Sequence, residues 1–448
     1  MIGQYFRGTE GSGRFTENEI LEVVAVKRLW NVDLHRQLRY YMAKNPSIME
    51  SDVVNKTAVG FGRKLVKTVT GFMFKNGAIT YRFPDGQERL KDFVEETFRC
   101  NGEEQENVAL GRDQSRFGAA YEMLWIDPGD VHPRFHRVHA SQIMPVWYEQ
   151  VEPRMRCAIN FYLTSDGVEH FDVYYPDVIQ RFVRAGSHLV MTDERRHFFG
   201  MVPVIEYRNN EEGQGDIECV EGLIDAFDRL VSNAVDEDAK FADALLTIIN
   251  ASLSDDDMDD VQSKRVLELP EGSSAAYLTK PDTYTSKSAL MDKIESLIHS
   301  LSGIPKLDDR DAMAQTSGEA LKYLFASFED MVAGEKQSGF EQALRQRLRM
   351  LCSYETWLEN LTLSPDELTG TVYDPSGVGI EWTRNLPAET TNIVDNAVKA
   401  APYMSRRTMA EQLCKAGIVG DVDDELKRLD EEDVTEDESA LDESARAY

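Results

Sequence analysis

The chain has 448 residues, enough for roughly three domains of about 150 residues each. Its composition, 42% hydrophobic and 29% charged, is typical of a folded protein rather than a disordered or membrane-embedded one. The formal net charge of -30 excludes a general basic nucleic-acid-binding protein, because such a surface repels phosphate.

Cysteine usage and the amino terminus indicate a reducing compartment. The five cysteines are far apart, odd in number and without a CxxC pair, which argues against a disulfide framework and a zinc ribbon. Residues 1–15 lack a continuous apolar core, so no secretory signal is predicted. Apolar stretches such as 244–249 are far shorter than the ~20 residues that span a bilayer. We expect a soluble, intracellularly made protein with no membrane partner.

The amino-terminal half is predicted to be α+β. Apolar residues recur every three or four positions from Ser51 to Phe74, which predicts a helix of about six turns capped by Ser51 or Asp52. Short β-branched and aromatic runs with turn signals between them then predict an antiparallel meander. These runs are 121–126, 143–148, 158–163, 171–175 and 178–183.

A long amphipathic helix is the strongest pattern in the chain. Apolar residues mark one face from Val220 to Ile249, which predicts a rod of about 45 Å that packs beside copies of itself or crosses between layers. The insert 252–286 is predicted to be non-helical, with strand candidates at 265–269 and 275–279, and a second helix over 288–302 brings the chain back.

A polar loop and a long kinked helix follow. The sequence Gly303-Ile-Pro-Lys306 breaks the second helix, and polar residues continue to Gln315. The next helix is predicted to start at Thr316 and to run to about residue 361. Gly334 and Gly339 are its predicted kink points.

The carboxyl-terminal region combines a strand, a last helical group and an acidic tail. A strand is predicted over 378–383, and helices are predicted after 385. Residues 421–448 hold 13 acidic and 3 basic residues, which predicts a solvated, partly disordered end.

Common catalytic signatures are missing from the chain. It contains no Walker A sequence, no GxGxxG after a strand, no HExxH and no GxSxG. His132, His136 and His139 have a spacing that suggests metal ligands, but Pro133 and the β pattern break the required register, so ordinary surface histidines are favoured.

Other acidic and aromatic groups are explained more simply by structure than by metal binding, catalysis or base stacking. The run 255–260 lacks the central glycine of a calcium loop, and a solvated turn or an assembly surface is favoured. Acid pairs such as 211–212 and 308–309 are common in so acidic a chain. Trp147 and Tyr148 have no interleaved Arg or Lys, which favours a core meander over a base-stacking platform. No catalytic residue, metal or cofactor is predicted.

Short motifs occur in a fixed order between about residues 50 and 420. They are Asn55, Ala58 and 65–71; Gly118-Ala-Ala-Tyr121; 199–210, which contains Pro203; Leu223-Ile-Asp-Ala-Phe-Asp228 with Ser232 and Asp236-Glu237; Ile304-Pro305; 317–322; and Asn385-Leu-Pro387. Each is weak alone, but their order and spacing are specific. In these motifs the chain resembles the portal proteins of tailed bacteriophages, particularly the siphophage type that forms the head-to-tail connector.

The resemblance implies the phage portal fold, an α+β chain assembled as a ring of typically twelve subunits at one capsid vertex. The implied parts are a wing (1–215), a stem helix (216–250), a small α/β clip (251–286), a second stem helix (287–303), a tunnel loop (304–316), a long kinked helix returning to the wing (317–385), an α-helical crown (386–430) and an acidic tail (431–448).

The resemblance also implies sites, partners and a location. The tunnel loop would face DNA with Lys306, Asp308, Asp309, Arg310, Asp311 and Gln315. The clip would dock the terminase with Asp255, Asp256, Asp257, Asp259, Asp260 and Lys264. The implied partners are other copies of the chain, double-stranded DNA in packaging and ejection, the terminase large subunit, head-completion and adaptor proteins, and major capsid and scaffolding proteins. The implied location is the virion, with assembly in the host cytoplasm.

Elementary geometry is compatible with such a channel. Twelve rods about 10 Å apart give a perimeter near 120 Å and an opening of roughly 28 Å, wider than a duplex of about 20 Å. An acidic wall also suits a conduit, because tight phosphate contacts would hold DNA fast.

Two other functional classes stay open on the sequence alone. One is a carboxylate- or metal-dependent hydrolase that uses residues such as His136 and Glu212. The other is a cytoplasmic coiled-coil adaptor, although the apolar stripe of the long helix is wider than an a/d seam.

Overall fold

The computed structural model describes residues 6–7, 13–74, 77–148, 151, 154–242, 246–250, 271–277, 284–306, 318–362, 373–383, 399, 404–415, 419, 422 and 424–429. Its helices are α1 (Glu17–Tyr41), α2 (Pro46–Met49), α3 (Phe61–Met73), α4 (Glu88–Asn101), α5 (Glu103–Phe117), α6 (Glu221–Ala242), α7 (Tyr284–Ser302), α8 (Gly318–Met331), α9 (Ser338–Thr362) and α10 (Arg406–Lys415). Its strands are β1 (Phe6–Arg7), β2 (Ile79–Arg82), β3 (Ala119–Trp125), β4 (Arg134–Val138), β5 (Ile143–Trp147), β6 (Met155–Leu163), β7 (Glu169–Tyr174), β8 (Val178–Ala185), β9 (His188–Arg196), β10 (Val204–Arg208), β11 (Leu246–Ile249), β12 (Ser274–Tyr277) and β13 (Gly379–Trp382).

The predicted meander is confirmed, but it divides between two sheets. Six strands form the order β1-β5-β6-β7-β8-β9, antiparallel except where β1 joins β5, and three form β10-β3-β4. Helix α1 starts with a capping box between Thr16 and Glu19 and buries Ile20, Val23 and Val24 on the larger sheet.

Helices α1, α2, α4 and α5 and strands β1, β2, β4, β9 and β10 were not predicted from the sequence. Strand β4 has few apolar residues, although its Phe135 is only 2% exposed. Strand β9 is an edge strand of mostly exposed, largely charged residues, so it lacks the alternation that reveals a half-buried strand.

The helix predicted from Ser51 begins ten residues later, at Phe61. Gly60 precedes it with a left-handed φ of 79°, a conformation that glycine adopts without steric cost. The predicted start was wrong because residues 51–60 obtain hydrogen bonds from another helix instead of from their own.

The long rod predicted over 216–250 is also shorter than expected. A 3-10 turn, Glu218–Val220, leads into α6, whose 22 residues correspond to about 33 Å. Leu246–Ile249 is the strand β11 rather than helix, and it pairs antiparallel with β12. Strand β12 confirms the second strand candidate, whereas 265–269 lies outside the described residues. The returning helix α7 begins at Tyr284, so the last residues of the predicted non-helical insert are helical.

A π-helical segment interrupts the long helix where the kink was predicted. Val332–Gln337 joins α8 to α9 and contains Gly334, and Gly339 lies in the first turn of α9. The predicted start at Thr316 lies outside the described residues, where α8 begins at Gly318. Strand β13 confirms the strand predicted over 378–383 and pairs with β2.

Candidate functional site

The pair α6 and α7 packs on α3 through a compact apolar junction. Ile224 of α6 and Ile298 of α7 are at most 2% exposed, and Ile294 joins them in the same cluster. Phe61 at the start of α3 meets Phe227 of α6 edge to face, with ring centroids 4.9 Å apart. An ion pair between Lys287 and Glu237 also joins the two long helices. The helix pair is therefore anchored to the rest of the fold at one end.

A polar row on α6 holds the non-helical segment 51–60. Asp228 Oδ1 accepts a hydrogen bond from the amide of Val59 at 2.9 Å, and Ser232 Oγ accepts one from Thr57 at 3.0 Å. Asp236 accepts hydrogen bonds from the backbone amides of Val54 and Asn55, at 3.0 and 2.8 Å. Positions four apart share one helix face, so these side chains supply acceptors for the backbone of a segment that lies along α6.

Burial of this polar row has an electrostatic consequence. Asp228 is 1% exposed and also accepts a bond from Asn45 Nδ2 at 2.8 Å. Burial nevertheless raises the pKa of Asp228, because desolvation disfavours its charged form. The buried face of α6 is thus partly polar.

Some apolar side chains of the helix pair are exposed to solvent. Val235 of α6 is 41% exposed, and Leu290 and Leu301 of α7 are 48% and 62% exposed. Scattered exposed apolar residues are normal, but here they lie on two antiparallel neighbouring helices.

The residues after α7 are fixed by a buried histidine. The chain turns at Gly303, and Ile304 is buried. Nδ1 of His299 lies 2.9 Å from the carbonyl oxygen of Ile304, so this nitrogen carries the proton and donates it. Burial lowers the pKa of His299, which keeps the ring neutral at pH 7.

The same turn restrains Lys306. Its Nζ lies 2.9 Å from Glu295 Oε2 of α7, and Glu295 also faces Lys64 of α3 at 3.8 Å. Lys306 is therefore held at the base of the polar loop, with its ammonium directed back toward α7.

A buried ion pair joins the π-helical segment to the start of α6. Lys336 is 2% exposed, and its Nζ donates to Asn209 Oδ1 at 2.9 Å and to Asp216. Asn209 in turn donates to Asp216 at 2.8 Å. The extra residue of a π-turn changes the direction of the side chains, and here Lys336 reaches Asp216, two residues before the 3-10 turn that leads into α6.

The family of the chain follows from comparison with known families. Residues 33–439 match the family described as "Phage portal protein, SPP1 Gp6-like". The chain belongs to this portal protein family. The family is structural rather than enzymatic, so the hydrolase alternative loses its support.

Curated proteins and solved structures add little to this assignment. No curated protein gives a significant match. One solved chain, described as "Virion of native gene transfer agent (GTA) particle", is 14% identical, with a TM-score of 0.41, over 83% of this portal chain and 89% of that one. Another, "Neck of native GTA particle computed with C12 symmetry", is 12% identical, with a TM-score of 0.44, over 85% and 93%. A third, "Neck of empty GTA particle computed with C6 symmetry", is 13% identical, with a TM-score of 0.43, over 86% and 93%. TM-scores below 0.5 are too low for conclusions on fold or assembly.

Most of the predicted site residues of the portal lie outside the described residues. Lys306 is described, at the base of the loop. The other predicted tunnel-loop residues are not: Asp308, Asp309, Arg310, Asp311 and Gln315. The predicted clip residues are also outside: Asp255, Asp256, Asp257, Asp259, Asp260 and Lys264.

The histidines considered as metal ligands have separate partners. His132 lies 3.0 Å from Thr97 Oγ1, His136 contacts Glu106, and His139 lies 2.7 Å from Ser141 Oγ. Within the described part of the chain, no group of three or more His, Cys, Asp or Glu side chains is placed to hold a metal ion.

Trp147 lies in the core, as predicted, but with cations nearby in space. It is 9% exposed, and the guanidinium of Arg208 lies 5.7 Å from its ring centroid. Among the described helices, none combines the length and apolar character needed to cross a membrane.

Asp228, Ser232 and Asp236 belong to the motifs that carry the family resemblance, but their structural role was not predicted. Asp228, Ser232 and Asp236 repeat every fourth residue, a spacing that would have indicated one polar helix face. No local signal reveals the pair of Lys336 and Asp216, because its partners are 120 residues apart.

Proposed function

We propose that this portal protein forms a ring at one capsid vertex and that the pair α6 and α7 walls a channel for double-stranded DNA. The observation that carries the proposal is the family match across residues 33–439. The exposed apolar side chains on α6 and α7 support it, because lateral contact with neighbouring copies would remove them from water. In this proposal the two helices are the stem, and 1–215 is the wing.

The same proposal assigns the remaining segments. Residues 251–286 form the clip that docks the terminase large subunit, 304–316 form the tunnel loop, and 386–430 form the crown. Head-completion, adaptor, scaffolding and capsid proteins bind the assembled ring. The net charge of -30 supports passage of DNA rather than retention, since few phosphates would be neutralised along the wall.

Light scattering on the purified full chain at neutral pH tests the assembly. We expect a mass of many subunits, and Leu290→Asp with Leu301→Asp should shift it toward the monomer because charged side chains would be buried at the contact. The matched control is Leu163→Asp, on strand β6, where the leucine is 67% exposed. A monomeric wild type, or equal loss of mass in the control, would contradict the assignment of the contact to α7.

A further inference from the structure

A small, partly open cavity lies between α1 and the edges of the two sheets. Its volume is about 90 Å³, equal to roughly three water molecules in the liquid. Helix α1 provides Lys27, Trp30 and Leu34, β5 provides Met144, Pro145 and Trp147, and β10 provides Glu206 and Arg208. Neither α6 nor α7 contributes a residue to its lining.

Lys27 is the unusual residue of this cavity. It is 5% exposed, yet no oxygen of the described residues accepts a hydrogen bond from its Nζ. Its ammonium interacts electrostatically with Glu206, and the centroid of the Tyr121 ring lies 5.9 Å from Nζ. Buried ammonium groups normally have a hydrogen-bond acceptor, because desolvation without one is costly. Lys27 therefore presents a hydrogen-bond donor at the wall of the cavity.

The other charged groups of the cavity already satisfy one another. Glu206 accepts from Arg208 Nε at 2.8 Å and from Tyr121 Oη at 3.1 Å. One acidic group, Glu206, faces two cations, Lys27 and Arg208, and burial raises the pKa of Glu206 to about 7, so positive charge is in excess in the cavity. Burial lowers the pKa of Lys27 to about 8, so most of the ammonium persists at pH 7.

The remaining walls are apolar and aromatic. Trp30, Leu34, Phe117 and Met144 surround the cavity, and Trp147 closes one side. A ligand that fits must combine one negative group with a short apolar body, as binding pockets generally pair apolar walls with few polar groups.

We propose that this cavity binds a small monocarboxylate of about four to six non-hydrogen atoms, with its carboxylate on Lys27 Nζ and its alkyl part between Trp30 and Trp147. Glu206 and Arg208 also line the cavity and are hydrogen-bonded to each other. The chain-wide negative charge does not prevent this binding at physiological salt, where charges are screened beyond about 8 Å.

Titration calorimetry on the full chain tests the proposal with propionate and with propionamide, its neutral isostere. We expect saturable binding of propionate at 0.15 M salt and at least tenfold weaker binding of the amide. Lys27→Met should abolish propionate binding, whereas Lys67→Met, at an exposed position of α3, should leave it unchanged. Equal binding of acid and amide, or absence of propionate binding to the wild type, would overturn the proposal in favour of a water-filled cavity.

A second measurement avoids dependence on the folding of the Lys27 variant. Acetic anhydride labels accessible amines of the wild-type chain, and mass spectrometry gives the rate at each lysine. We expect propionate, but not propionamide, to slow labelling of Lys27 at least threefold and to leave Lys67 unaffected. Uniform slowing at both lysines, or no slowing at either, would contradict a site on Lys27.

Discussion

Arg347 of α9 shows how single residues hold this fold together. Its side chain is 0% exposed, and its guanidinium donates to Glu122 at 2.9 and 2.7 Å and to Asn107 at 3.0 Å. Tyr207 donates to the same Glu122 at 2.8 Å, and the Phe135 ring centroid lies 4.6 Å from the guanidinium. One cation thus joins the long helix, α5 and the three-stranded sheet, with each charge fully paired.

Replacing Arg347 tests this network. Arg347→Met should lower the free energy of unfolding by about 3–5 kcal/mol, because Glu122 is left buried without its partner. Denaturant unfolding measures the loss, and the double variant Arg347→Met with Glu122→Leu should recover part of it. Arg345→Met, which breaks an i,i+4 pair with Glu341 on the same helix, should cost less than about 1 kcal/mol. If Arg347→Met and Arg345→Met lowered the free energy of unfolding by similar amounts, the buried network would contribute no more than an exposed ion pair.

His299 gives a pH dependence whose sign follows from burial. Its pKa is lowered in the folded chain, so below about pH 6.5 the unfolded state takes up a proton that the folded state resists. The free energy of unfolding should therefore fall as the pH drops from 7 to 5.

The variant His299→Phe separates this contribution from other groups. It should be less stable at pH 7, because Ile304 loses its hydrogen-bond donor, but its stability should change less steeply with pH. Buried carboxyls with raised pKa, such as Asp228, act in the opposite direction and are common to both chains. Denaturant unfolding of both proteins at pH 5, 6 and 7 gives the free energy of unfolding as a function of pH. The same pH dependence in the wild type and in His299→Phe would refute a neutral His299.

At the scale of elements, periodicity predicted α3, α6, α7 and five strands of the meander, but not their limits, and it did not predict α1, α4 or α5. The apolar stripe revealed α6, yet its buried face also includes Asp228, Ser232 and Asp236, which accept hydrogen bonds from the non-helical residues 51–60. Those residues have a helical apolar spacing, so local pattern alone predicted helix. Tertiary hydrogen bonds from a helix far along the chain overrode that propensity, and no local rule contains them.

The site was less predictable than the fold. The family resemblance placed the polar loop at 304–316, and the structure adds only its base, where His299 and Glu295 restrain Ile304 and Lys306. The ion pair of Lys336 and Asp216 arises from a π-turn, whose extra residue shifts the helical register in a way that periodicity does not anticipate.

Two glycines near the junction of the π-helical segment and α9 should differ in their tolerance of a side chain. A Cβ on Gly339 would lie 2.5 Å from the carbonyl oxygen of Arg208, whereas a Cβ on Gly334 would meet nothing within 4 Å. Gly339→Ala should lower the unfolding free energy by about 1–3 kcal/mol, because the backbone of β10 must move. Gly334→Ala should be neutral or stabilising by up to about 1 kcal/mol. Thermal unfolding compares them, and a tolerated Gly339→Ala would contradict this close packing of α9 on β10.

At the scale of the whole molecule, the proposed ring depends on the contacts between copies of the chain. A chain with net charge -30 repels itself, so association must come from apolar contact, for which Val235, Leu290 and Leu301 are available on α6 and α7. With α6 at 22 residues, the wall would be about 33 Å tall where this helix forms it.

Electron microscopy of the purified full chain, reconstructed from particles viewed along the ring axis, tests the central claim most directly. We predict a closed ring with a central hole of more than about 20 Å, bordered by α6 and α7. A monomer, an open filament, or a ring in which α6 and α7 lie on the outer rim would contradict the account.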